Sequence, residues 1–219
     1  MGKRHFIIPI FIPHKGCPFD CVFCNQKRIT GLQKDVTADE VEEHIIKYMD
    51  TIPEHIEKHI EIAFYGGSFT GIELNIQKEL LSVAYGWKKC GVVKDIRIST
   101  RPDYINSFIL QHLKEYGVSI IELGVQSMSD YVLEKSGRGH SAQDVFMASK
   151  LIKKWDIKLG LQMMLGLPGD SVDQALKTAD DLISLNPDFV RIYPTLVIKD
   201  TFLENEYYKG RFKDRKSVV

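Results

Sequence analysis

The chain has 219 residues, 44% of them hydrophobic, 10% aromatic and 26% charged, enough apolar material to offset chain entropy and exclude a wholly disordered protein. Its 29 Lys and Arg balance 29 Asp and Glu, so a strongly electrostatic nucleic-acid binder is not indicated, although a local basic patch is compatible with that balance. No run of about 18 apolar residues exists to form a transmembrane helix, and the length suits one α/β barrel domain of roughly 200–250 residues.

The basic start, Met1-Gly2-Lys3-Arg4, leads into an apolar run. That run is short, holds Pro9 and Pro13 and lacks a small-residue cleavage site, so it reads as the buried first strand, 5–12, of a cytoplasmic protein. A helix follows over 38–49. Thr37 and Glu40 form a capping box at its start, and Val41, Ile45 and Tyr48 recur at helical spacing. The second strand, 60–65, ends at Gly66-Gly67 and is followed by a helix over 74–89. Strand three is 95–99, then a helix over 104–116 stopped by Gly117. Strand four is 118–125, then a helix over 142–155; strand five is 157–165, then a helix over 172–185. Strand six is 189–193, and a short helix covers 201–208.

Six βα units with parallel-type connections imply an incomplete (β/α)6 TIM-like barrel, two units short of closure. One core domain is expected over 1–210, with 211–219 a frayed or truncated tail. In such folds the chemistry sits where strands end and loops begin, and the unusual residues of this chain collect at those points.

Three of the four cysteines, Cys17, Cys21 and Cys24, fall in one short segment with the spacing C-x₃-C-x₂-C, and Phe23 precedes the last. That is a metal-binding pattern and not a disulfide framework. Thiolates suit an iron–sulfur cluster or zinc. Three ligands can hold three irons of a [4Fe–4S] cube and leave the fourth open. Structural zinc requires a fourth protein ligand, for which His14 is the nearest candidate.

The triplet after a first strand resembles the radical S-adenosylmethionine (SAM) superfamily, from about residue 5 to 208. The resemblance implies that Cys17, Cys21 and Cys24 hold a [4Fe–4S] cluster whose open iron binds SAM. One electron, from a reductant such as flavodoxin or ferredoxin, then cleaves the sulfonium to a 5′-deoxyadenosyl radical. Tyr65-Gly66-Gly67-Ser68-Phe69-Thr70 resembles the family's glycine-rich motif, which implies contact of Gly66, Gly67 and Ser68 with the methionine amino group. Ser68 replaces the usual acidic residue.

Glu122-Leu123-Gly124-Val125-Gln126-Ser127 resembles the strand-four motif, with Gln126 toward the ribose. Arg138 matches the arginine that pairs with the methionine carboxylate in oxygen-independent coproporphyrinogen dehydrogenases, a role that guanidinium geometry suits. Gln162-Met163-Met164-Leu165-Gly166 matches the strand-five motif, with Gln162 toward the ribose hydroxyls. Thr100, Gly166, Tyr193 and Phe23 complete the implied cofactor contacts. His140 receives no role.

Ser99-Thr100-Arg101-Pro102-Asp103, Gly166-Leu167-Pro168-Gly169-Asp170 and Arg191-Ile192-Tyr193-Pro194 look like the branch that holds the Elongator catalytic subunit. The resemblance therefore names a tRNA nucleotide as one candidate substrate. Relatives in that branch extend well beyond strand six, so the expectation is either a C-terminal domain removed from this chain or a naturally short product, with substrate contacts missing from it in the first case. The porphyrin branch carries a further cysteine after the triplet, where this chain has Asn25 and Gln26. A non-catalytic iron–sulfur electron carrier or structural zinc module is the alternative, and neither accounts for the polar residues at the ends of strands three to five. Lys15, Lys27, Arg28 and Lys34 flank the cysteine loop at the expected open side of the barrel, as a solvated face or an RNA contact.

Overall fold

The structure, a computed structural model, describes residues 4–12, 21–25 and 36–213. His14, Cys17 and the loop cations Lys15, Lys27, Arg28 and Lys34 lie outside the described residues. Six strands form one parallel sheet in sequence order: β1 (Arg4–Ile12), β2 (Lys58–Gly66), β3 (Asp95–Thr100), β4 (Ile120–Gln126), β5 (Lys158–Leu165) and β6 (Phe189–Pro194). The helices are α1 (Ala38–Met49), α2 (Leu74–Lys89), α3 (Ser107–Glu115), α4 (Asp130–Lys135), α5 (Ala142–Lys154), α6 (Val172–Ser184) and α7 (Phe202–Tyr208).

Local chemistry sets the helix starts. The Thr37 hydroxyl accepts from the Glu40 amide at 3.2 Å, and the Glu40 carboxylate accepts from the Thr37 amide at 2.9 Å, the expected capping box. Ser141 and Asp144 repeat the device at α5. The expected helix over 104–116 is divided. A 3₁₀ turn, Pro102–Tyr104, comes first, and α3 then starts anew because the Asn106 carboxamide caps the Ile109 amide. Helix α4 was not expected from the sequence. It is six residues long, and its N-cap, Ser129, makes no capping side-chain bond.

One sheet face is apolar. Ile8, Ile62, Ile96, Ile121 and Leu159 are fully buried there, in one core with Ile45, Leu81, Leu110 and Ile152 from the helices. Each such side chain stabilises the fold by roughly 1.5–3 kcal/mol. The other face is concave. Arg191 on β6 donates to the Tyr65 hydroxyl on β2 at 3.1 Å, and the Arg97 guanidinium on β3 lies 4.6 Å from the Phe189 ring centre on β6. A flat sheet would hold β2 and β6 about 19 Å apart, four spacings of about 4.8 Å, so the sheet is curled into an open half-barrel. β1 and β6 do not pair, which leaves the cylinder incomplete, as the six βα units imply.

No helix among the described residues is long and apolar enough to cross a membrane. At the C-terminal side, the Arg211 guanidinium donates to the Glu206 carboxylate at 2.6 and 2.7 Å. Residues 214–219 lie outside the described residues.

Candidate functional site

The described cysteine segment, 21–25, crosses the C-terminal end of the sheet and is held from two sides. The Val22 amide donates to the Ser136 carbonyl, just after α4, at 3.1 Å. The Val22 carbonyl accepts from the Leu203 amide in α7 at 2.8 Å. The Asn25 carboxamide reaches the Lys199 and Asp200 carbonyls at 3.4 and 3.3 Å. The Cys24 amide donates to the Cys21 carbonyl at 2.9 Å, so one turn places both thiols on the same segment. No third His, Cys, Asp or Glu joins them among the described residues.

Cys21, Phe23 and Cys24 wall a cavity of about 150 Å³. Gly66, Gly67 and Ser68 after β2, Thr100 at the end of β3, Gln126, Arg138 and Gln162 wall it too. The structure thus brings together most residues assigned from the sequence. A second, more apolar cavity of about 520 Å³ adjoins it and shares Phe23, Cys24, Gly66, Gln126 and Gln162. Tyr193 lines this one, with Phe11, Tyr65, Met164 and Arg191. Gly166 is not brought in. It lines a separate cleft beside α4 and α7, where its amide donates to the Asp170 carboxylate at 2.9 Å.

Arg138 is buried, and its guanidinium contacts the Cys21 sulfur at 3.4 Å and the Gly124 carbonyl at 2.6 Å. Thr100 shares a 2.6 Å hydroxyl–hydroxyl bond with Thr70. Gln162 donates to Glu122 at 2.5 Å. Gly66 adopts a φ of +110°, and a Cβ there would lie 2.3 Å from the Ile12 carbonyl oxygen. Only glycine lets β1 and the end of β2 approach so closely.

Beneath the cavity the concave face carries a ladder of charges that sequence reasoning missed. Glu61 pairs with Arg97 at 2.5 Å, Arg97 with Glu122 at 3.1 Å, and Glu122 with Arg191 at 3.3 Å. Glu61 and Glu122 are fully buried. Burial opposes the Arg191 charge, but Tyr193, Glu122 and Tyr65 outweigh it and hold the guanidinium protonated. Burial also pushes the Tyr65 phenol above its ordinary value, against the opposing pull of Arg97 and Arg191. The signal was in the sequence. Each of these charges stands between two aliphatic residues within a strand: Ile60-Glu61-Ile62, Ile96-Arg97-Ile98, Ile121-Glu122-Leu123 and Val190-Arg191-Ile192.

The residues fit a thiolate-bound iron–sulfur group with a polar cosubstrate. Cys21 and Cys24 are soft ligands. Facing them, Ser99 Oγ, Gln126 Oε1 and Arg138 Nε are buried with no hydrogen-bond partner among the described residues. An unsatisfied buried polar atom costs about 1–3 kcal/mol, and a polar ligand in the cavity would recover it.

Comparison with known proteins agrees. Residues 11–182 match the model of the radical SAM superfamily. An uncharacterized protein of Methanocaldococcus jannaschii is 35% identical over 96% of this chain and 67% of its own length. A tRNA uridine(34) acetyltransferase of Methanocaldococcus infernus is 32% identical over 73% of this chain and 34% of its own. The structure of the archaeal Methanocaldococcus infernus Elp3 superposes with a TM-score of 0.74 at 24% identity, over 96% of this chain and 50% of that one. This chain therefore spans about a third of that acetyltransferase and half of that Elp3 structure. With its cysteine segment over an open parallel half-barrel, the chain belongs to the radical SAM superfamily, enzymes that use a [4Fe–4S] cluster and S-adenosylmethionine.

Proposed function

We propose that residues 1–210 form the radical SAM core of an enzyme that abstracts a hydrogen atom from a nucleotide of tRNA. The observation that carries the core of this reading is the cavity in which two cysteines face Ser99 Oγ, Gln126 Oε1 and Arg138 Nε, none of which has a hydrogen-bond partner among the described residues. Cys21 and Cys24, with Cys17 from the sequence pattern, would hold the cluster. When bound, the two groups supply one-electron cleavage of SAM to methionine and a 5′-deoxyadenosyl radical, with the electron from a reductant of the flavodoxin or ferredoxin class.

The chain's own residues bind and orient. Arg138 keeps one nitrogen on the Gly124 carbonyl, which fixes its fork, and presents its remaining donor capacity to the methionine carboxylate. Gly66, Gly67 and Ser68 take the amino group. Gln126 and Gln162 face the ribose, Phe23 and Tyr193 flank the adenosine, and Thr100 closes the wall. Gly166 sits on the neighbouring cleft and acts at most by shaping the loop after β5. The tRNA assignment rests on the acetyltransferase relative and on the unpaired β1 and β6 edges, which leave a lateral opening for a large substrate.

Anaerobic reconstitution tests the reading. It should give about four irons per chain and, with SAM and a reductant, 5′-deoxyadenosine. Stoichiometric zinc and no 5′-deoxyadenosine would overturn it. Arg138→Ala should weaken SAM binding by roughly 1.5–3 kcal/mol, the range for a hydrogen bond to a charged group, with iron content unchanged. Wild-type affinity in that variant would remove Arg138 from the site.

A further inference from the structure

Strand β4 is irregular where the site needs it. Its register against β5 shifts between Gly124 and Gln126, so Val125 is the extra residue of a bulge. Gln126 follows in the left-handed region, φ 71°, and it is not glycine. Such a conformation costs on the order of 1 kcal/mol or more and persists only where its surroundings determine it. Its effect is to set the Gln126 side chain into the cavity wall instead of along the sheet.

Two side chains secure the bulge, and both come from one loop. Arg138 donates to the Gly124 carbonyl at 2.6 Å, and His140 bonds the Val125 carbonyl at 3.1 Å. Gly137 and Gly139, with φ of 65° and 71°, bracket Arg138 and allow the tight path that brings both residues back onto β4. A carbonyl oxygen only accepts, so His140 Nε2 carries the proton. Its Nδ1 is buried with no hydrogen-bond partner among the described residues, which leaves the bond to Val125 as the ring's one anchor. Burial, with the Arg138 and Arg101 charges behind it, pushes the His140 pKa down to about 3 and keeps the ring neutral. His140 itself lines neither cavity.

We propose that His140 is a positioning residue: by holding the Val125 carbonyl it fixes the β4 bulge, and the bulge fixes Gln126 against the nucleoside of SAM. The proposal rests on the assignment of Gln126 to the cofactor, and the experiment separates the two. SAM affinity is measured by equilibrium dialysis on anaerobically reconstituted protein, with iron per chain as the control. Gln126→Ala and His140→Leu should each weaken SAM binding about tenfold, with iron unchanged. The double variant should be no weaker than Gln126→Ala alone, because both act through one contact. His140→Gln, whose amide nitrogen replaces the Nε2 donor, should restore wild-type affinity. If the leucine variant does not fold, His140→Asn, too short to reach Val125, takes its place with the same expected loss. Unchanged affinity in Gln126→Ala would overturn the Gln126 assignment and the proposal with it. Loss in Gln126→Ala without loss in His140→Leu or His140→Asn, or an additive loss in the double variant, would overturn the proposal alone.

Discussion

The two ends of the sheet treat buried polarity in opposite ways. At the N-terminal end, Asp95 accepts from the Ser119 hydroxyl at 2.6 Å, from His59 at 2.9 Å and from Lys158 at 3.3 Å. Burial alone would raise its carboxyl, but Ser119, Lys158 and His59 outweigh burial and hold it below the ordinary carboxylate value. At the C-terminal end, Ser99, Gln126 and Arg138 keep buried atoms without hydrogen-bond partners among the described residues. One end has completed its bonds within the chain and serves stability. The other keeps bonding capacity for a ligand, at a cost the core must offset. Between them, the Glu61–Arg97–Glu122–Arg191 ladder fills the concave face with matched charges, two of each sign, so the cavity floor adds no net charge under a charged cofactor.

Substitutions can break this comparison, the largest effect first. Cys21→Ala or Cys24→Ala should leave on the order of a tenth or less of wild-type iron after reconstitution, since the metal site requires its thiolates. Urea unfolding of the apo-protein should shift by only about 1 kcal/mol. Full iron content in either variant would place the ligands elsewhere. Arg97→Leu removes the cation shared by two buried carboxylates. Among the described residues it leaves Glu61 with only His5 at 3.2 Å and Glu122 with only Arg191 at 3.3 Å as ionic partners, and it should cost about 3–5 kcal/mol of apo-protein stability. A loss below about 1 kcal/mol would mean that the ladder is solvated and not buried.

His140 sharpens the comparison through pH. Its unfolded value is the ordinary 6.5 and its folded value about 3. Below pH 6.5 the unfolded chain takes up a proton that the native ring refuses. The stabilisation is therefore complete above pH 6.5 and declines by up to about 1.4 kcal/mol per pH unit as the pH falls toward 3. Urea titrations of wild type and His140→Gln should diverge in that window, and parallel curves would show a ring that titrates normally. The smallest effect belongs to the satisfied end. Asp95→Asn should cost about 1.5 kcal/mol of stability, the lower range for hydrogen bonds to a charged group, and leave SAM affinity unchanged. A changed affinity would show that the two ends are coupled.

The sequence disclosed what is local or what is periodic. Thr37 and Glu40 lie three residues apart, so their capping box was visible without a fold, and the strand order followed from alternating βα patterns. Helix α4 escaped because six residues hold too few turns for a periodic stripe. The charge ladder escaped because each charge meets its partner only across the curled sheet. A lone glutamate between isoleucines reads as a solvent-facing position until four strands are seen to place theirs on the same side. The position of Gly166 on the far cleft was equally hidden. A strand end locates a loop at the active end of a barrel, but not which side of that loop faces the cavity. The role of His140 is hidden for a similar reason, since its partner is a backbone carbonyl displaced by a bulge that no residue type announces.

The grip of Leu203 on Val22 has a consequence for how the molecule assembles. Every pairing in the sheet joins strands adjacent in sequence, so β1 to β6 can be laid down one unit after another with short closures. The cysteine segment obeys a different rule. Its seat is completed by a residue about 180 positions later, and closing a flexible loop of that length costs about 4–5 kcal/mol of chain entropy. That cost becomes small only after the intervening strands have folded and brought α7 to the mouth of the barrel. A segment that follows soon after the first strand in the sequence is thus among the last to be fixed, and the fold is largely finished before the Cys21 and Cys24 thiols are locked in place.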